Sequence, residues 1–148
     1  MKKMIFLITL STISISVLGQ TFELKFDHTA ILVSDLQKSA EFYTDILQLS
    51  QIETPGSNQI IRWFSLGKNR QLHLVKVDND GIKLHKAIHF SLNVANYDAF
   101  LKYLESKIIE YSNWPGEKNK FTVRADGVRQ IYIQDPDGHW IEINDAVY

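Results

Sequence analysis

The 148-residue chain has no cysteine. That excludes thiolate nucleophiles, cysteine-ligated zinc, iron–sulfur clusters, disulfides and lipid attachment at a lipoprotein cysteine. Any metal site must draw on His, Asp, Glu or water. Neither sign of charge is in excess: 16 Lys+Arg against 17 Asp+Glu give a net −1, so nothing global points to nucleic acid or an anionic membrane surface as partner. The length fits one globular domain or two very small ones, and rules out a large multidomain enzyme.

One long uncharged run is present. Lys2 and Lys3 precede the fifteen residues Met4–Leu18, which end in small residues near Gly19-Gln20. A bilayer-spanning helix needs about 20 apolar residues, and this run is shorter and diluted by Thr9, Ser11, Thr12, Ser14 and Ser16. Residues 1–19 are therefore expected to be a secretory signal, with an uncleaved N-terminal anchor as the alternative. The working chain then begins at Gln20 and is exported, periplasmic or secreted, with no stable membrane insertion once the signal is removed.

The remainder is written twice. Phe26–Ser34 alternates as a strand, and Leu36, Ala40, Tyr43 and Leu47 then fall on one helical face. Ser34 with Gln37 reads as a capping box. Ala87–Val94 alternates again, and Asn96 can cap a helix whose apolar stripe is Tyr97, Phe100, Leu101, Leu104 and Ile108. Further strands are expected over Gln48–Thr54, Ile60–Leu66 and Gln71–Val77 in the first half. Their counterparts are Lys120–Ala125, Val128–Gln134 and His139–Asn144 in the second. Gly67-Lys68-Asn69-Arg70 and Asp135-Pro136-Asp137-Gly138 supply the last turns. The fold class is α+β, with repeat one over about 24–79, repeat two over about 85–146 and Asn79-Asp80-Gly81 between them. Each unit must stack on its twin to bury a core.

Alternation then selects candidate ligands. His28 and His89 occupy equivalent places in the first strand of each half, while His73 and Glu142 lie in the last. Singly, each is an ordinary strand residue; together, on repeat-related strands, they suit one divalent ion of the Zn, Ni, Fe, Co or Mn group. His85 and His139 read as surface residues beside turns. Arg62, Trp63, Trp114, Arg124, Arg129 and Tyr132 supply cations and aromatic surface for substrate at the expected rim, and as a group would suit an anionic organic ligand. Taken individually, Trp63 and Tyr132 read as core, and the arginines as partners of surface acids.

The segments 27–47, Gln71–Leu74, Ile88–Val94 and above all 129–143, with its DPDG-x-x-IE ending, resemble the vicinal oxygen chelate superfamily. That group includes glyoxalase I, bleomycin-resistance proteins and extradiol dioxygenases. The resemblance covers essentially all of the exported chain. It implies two βαβββ repeats forming an eight-stranded cup, a homodimer, and a metal held by His28, His73, His89 and Glu142. Glyoxalase I usually carries glutamate where this chain has His73, and the three-ligand members use only the positions of His28, His89 and Glu142. His73 is thus open to a role as fourth ligand, as a group contacting substrate, or to none.

The resemblance implies a divalent-metal-dependent, glyoxalase I-like lyase or isomerase acting on a small oxygenated substrate through a metal-bound enediolate. Glu142 is then the base and His73 the proton shuttle. Export argues against the usual glutathione adduct, which is chiefly cytoplasmic. An extradiol-type Fe(II) dioxygenase and a non-catalytic small-molecule binding or resistance protein are the alternatives.

Overall fold

The computed structural model describes residues 22–56, 59–78 and 84–147. The expected signal and the Asn79-Asp80-Gly81 link lie outside them. No helix among the described residues is long and apolar enough to cross a membrane.

Each half runs strand, helix, three strands, as the repeat predicts. The first half contains β1 (His28–Val33), α1 (Leu36–Glu41), β2 (Gln51–Ile52), β3 (Ile61–Ser65) and β4 (Gln71–Lys76). The second contains β5 (His89–Asn93), α2 (Tyr97–Ser106), β6 (Thr122–Val123), β7 (Arg129–Gln134) and β8 (Trp140–Asn144). They build two four-stranded sheets, ordered β1-β4-β3-β2 and β5-β8-β7-β6. In each sheet the first strand pairs in parallel with the last, and the other pairings are antiparallel. The helix supplies the crossover that parallel pairing requires.

Strand alternation sends Leu72 and Leu74 of β4, Ile131 and Ile133 of β7, and Ile141 and Ile143 of β8 into one core with Tyr43, Phe64 and Leu104. The opposite faces carry the polar and aromatic residues described below. β2 and β6 are only two residues long, much shorter than the alternation suggested.

Local chemistry corrects three expectations. Asp35, not Ser34, caps α1, its carboxylate accepting the N–H groups of Gln37 and Lys38 at 3.0 Å. The helix then widens into a π-helical turn over Phe42–Ile46, where the Leu47 N–H reaches back to the Phe42 carbonyl. Asn96 caps α2 as expected, but the helix stops at Ser106. Ile108 adopts φ 57° and is 93% exposed, so Ile109 takes its place against the core.

Ser34 is committed elsewhere. Its N–H and hydroxyl both donate to Asp137 of the β7–β8 turn, and the Ser39 hydroxyl donates to the other Asp137 oxygen at 3.0 Å. The buried Tyr43 hydroxyl donates to Asp135 at 3.0 Å. His139, read from sequence as an ordinary surface residue, hydrogen-bonds the Leu32 carbonyl through Nε2. The DPDG turn of the second half is therefore pinned onto the β1–α1 corner of the first.

Burial raises the Asp135 carboxyl pKa above the ordinary aspartate range. For Asp137 burial also pulls upward, but the hydrogen bonds from Ser34 and Ser39 outweigh it and the net shift is downward. A lowered carboxyl pKa contributes stability above the unfolded value of about 3.9, lost as pH falls through the folded value. Asp137→Ala is accordingly expected to lower the unfolding free energy by about 1–2 kcal/mol near neutral pH. Urea titrations at neutral and acidic pH should show that deficit shrink once Asp137 protonates in the wild type.

Candidate functional site

Glu142 sits at the centre of β8, 6% exposed although flanked by Ile141 and Ile143. Register decides its neighbours. Tyr132 of β7 and Ser91 of β5 lie directly across from it on either side. The Tyr132 hydroxyl donates to Oε2 at 2.9 Å and the Ser91 hydroxyl to Oε1 at 3.1 Å. Asn144 Nδ2 donates to Oε1 at 2.8 Å, and the Arg124 guanidinium lies 3.8 Å from the same oxygen. Burial, with the Glu142 carboxylate beside it, pushes the Tyr132 hydroxyl pKa well above the usual tyrosine range, so Tyr132 acts as a donor.

His89 completes this half of the site. Its Nδ1 hydrogen-bonds the Lys86 carbonyl at 2.7 Å, which assigns the proton to Nδ1 and leaves the Nε2 lone pair 3.4 Å from Glu142 Oε2. Two donors bound to one divalent ion at about 2.1 Å stand roughly 3.0–3.4 Å apart. A metal-binding histidine commonly gives its other N–H to a backbone carbonyl. His89 and Glu142 therefore fit as two neighbouring ligands.

The first half uses the same places differently. Trp63 and Ala30 lie across from His73, as Tyr132 and Ser91 lie across from Glu142. Here the result is a stack: the Trp63 and His73 rings are 4.1 Å apart at 6°, and His73 and His28 are 4.3 Å apart at 17°. His73 Nε2 is tied to Gln71 Oε1 at 2.8 Å. Burial, followed by the neighbouring His28, lowers the His73 pKa. His28 Nδ1 meets Asp27 at 2.6 Å, leaving Nε2 available to an ion. Imidazole lone pairs lie in the ring plane, so two face-to-face rings aim them side by side rather than at one point. His28 thus fits an ion as donor, whereas His73 in this stack does not fit as its co-ligand.

Within one chain the two pairs remain separate. Among the described residues no three His, Asp or Glu side chains gather at metal-binding range. Of the rim candidates, Arg124 and Tyr132 join Glu142, Trp63 joins His73, and the half-exposed Trp114 sets its edge against Tyr132 at 5.6 Å. Arg62 and Arg129 do not join them. Alternation puts each on the core-side face of its strand. There Arg62 donates to the Ile61 carbonyl, while Arg129 binds Asp98 and Asp145 at 2.7 Å and lies over the Tyr97 ring.

Sequence reasoning missed Lys86. Its Nζ donates to Ser112 Oγ at 3.1 Å and the Asn113 carbonyl at 2.9 Å, and lies 4.5 Å from the Trp140 ring centre. Burial lowers its pKa below the ordinary lysine range. Nothing in the local sequence signals this packing. Ser91 and Asn144, by contrast, share the alternation faces of His89 and Glu142 and were within reach of that reading.

The fold is shared with solved structures. The chain is 25% identical over 123 residues, 80% of its own length and 94% of the relative's, to the uncharacterized protein YwbC of Bacillus subtilis (strain 168). Among solved structures it is similar to oxidase ChaP-H2, with a TM-score of 0.69 and 21% identity over 86% of this chain and 97% of that one. It is also similar to lactoylglutathione lyase from Agrobacterium tumefaciens, with a TM-score of 0.61 and 20% identity over 82% and 93%. Residues 25–143 match the family model, and the chain belongs to the Glyoxalase/Bleomycin resistance protein/Dioxygenase superfamily.

Proposed function

We propose that the protein is an exported, homodimeric, divalent-metal-dependent lyase or isomerase acting on a small oxygenated substrate. The observation that carries this reading is the His89–Glu142 pair, with a free Nε2 lone pair facing a carboxylate oxygen at 3.4 Å and Nδ1 held by a carbonyl. Because His28 lies apart from this pair within one chain, it serves as third donor only across the homodimer, and His73 stays in its stack with Trp63. The ion supplies Lewis acidity toward two neighbouring substrate oxygens. Glu142 takes the proton from the carbon bearing the hydroxyl and returns it to the adjacent carbonyl carbon, while the hydroxyl proton passes to the former carbonyl oxygen. Tyr132 and Ser91 hold its carboxylate in place during the transfer, and Arg124 offers positive charge to the oxygens on which negative charge grows.

An Fe(II) dioxygenase is the second reading. The observation favouring it is the His28–His73 stack, which leaves two histidines and one carboxylate, the donor set of non-haem Fe(II) oxygenases.

Protein purified without chelator is expected to carry one divalent ion per chain. Failure to bind one after exposure to Zn, Ni, Mn or anaerobic Fe(II) would sink both readings. His73→Phe is expected to keep the ion and His89→Ala to lose it; loss of the ion in His73→Phe returns His73 to the ligand set. Glu142→Gln is expected to retain part of the metal. Its turnover of methylglyoxal hemithioacetals of small thiols should fall by about 10²–10⁴, and unchanged turnover would remove Glu142 as base. Oxygen uptake with catechol, absent from the metal-free protein, decides for the dioxygenase.

A further inference from the structure

The outer edge of β5 opens onto a cleft of about 630 Å³ whose walls include Phe26, Leu66, Arg70, His89, Ser91 and Asn93. A second hollow of about 370 Å³ shares Leu66, Arg70 and Asn93 with it and adds Lys68. Both cations come from the β3–β4 turn, in which Gly67, Lys68 and Asn69 follow one another at φ 77°, 48° and 61°. That conformation is ordinary for glycine, tolerated by asparagine and costly for lysine. No Asp or Glu lines either hollow, and among the described residues neither Lys68 nor Arg70 is paired with an acid.

The chemistry of the walls is therefore divided. One end carries two unneutralised cations and the Asn93 amide. Phe26 and Leu66 add apolar surface, and the edge of β5 closes the far side, with His89 and Ser91 on one face and the core-packed Phe90 and Leu92 on the other. Ser91 donates directly to Glu142, so this cleft abuts the site proposed above.

We infer that the β3–β4 turn is an anion-binding subsite, and that the cleft takes a small organic carboxylate with an apolar body. The carboxylate lies against Arg70, whose planar guanidinium can donate to both oxygens. Lys68 adds attraction at the mouth, and the apolar part lies along Leu66 and Phe26. The far end of the ligand then reaches His89. Only that last placement rests on the proposed function; anion binding does not.

The probes are 3-phenylpropanoate, its neutral amide and inorganic phosphate, titrated into the labelled full chain while backbone amide NMR shifts are followed. The carboxylate is expected to shift Gly67–Arg70 and Ser91–Asn93, to bind at least tenfold more tightly than the amide, and to weaken with added salt. The double variant Lys68→Gln/Arg70→Gln should lose at least tenfold in affinity, while Lys102→Gln, on α2, changes nothing. Equal binding of acid and amide, shifts mapping elsewhere, or undiminished binding in the double variant overturns the inference. So does phosphate binding as tightly as the carboxylate and displacing it, which means an adventitious ion only. The acid-to-amide comparison stands on wild-type protein even if the variant fails to fold. Mn²⁺ broadening of the His89 signals is read separately. Its absence with carboxylate binding intact removes the metal reading and leaves this one; the reverse outcome removes this one alone.

Discussion

Parallel pairing between the first and last strand of each half is the constraint from which the site follows. A parallel pair cannot be closed by a tight turn, so each half must send its chain through a helix and an antiparallel excursion before returning. The return fixes Ser91 opposite Glu142 and Ala30 opposite His73, residues far apart in the chain. Because side chains alternate across a strand, a slip of one residue would turn Glu142 toward the helices and send Ile141 and Ile143 to the polar face. The apolar requirement of the core thereby sets the position of the carboxylate.

A second constraint joins the halves. Asp137 receives hydrogen bonds from Ser34 and Ser39, Asp135 receives one from Tyr43, and His139 reaches the Leu32 carbonyl. A turn with proline and glycine in their favoured places thus also carries the docking groups. The same turn leads directly into Trp140 and Glu142, so its seating on the first half fixes where β8 begins.

The repeat has kept its geometry and changed its chemistry. At equivalent register positions the second half builds a hydrogen-bonded carboxylate around Glu142, with Tyr132 and Ser91. The first half builds a stack of Trp63, His73 and His28. A carboxylate collects donors from both neighbouring strands, whereas an imidazole beside an indole gains most by lying flat on it. That divergence gives His73 a stacked environment unlike that of Glu142, although alternation places the two at equivalent positions.

Much of the layout was legible in the chain. The two periodicities, strand followed by helix and repeated once, gave the βαβββ units, and the pattern around Glu142 identified its strand and face. Alternation also places two of the arginines. Arg62 lies one residue from Trp63, and Arg129 lies an odd number of residues from Tyr132, so both belong on the core-side face. The position of the cap was not legible, because Ser34 and Asp35 are both good capping residues and the choice depends on Asp137 from the other half. Nor were the packing of Lys86 between the 112–114 loop and Trp140, or the face-to-face stacking of His28 and His73. The sequence by itself determined which residues share a face, because alternation is a local property of the backbone. Only the tertiary structure decided which faces meet and at what angle the rings lie, because those depend on contacts between strands that the chain brings together from far apart.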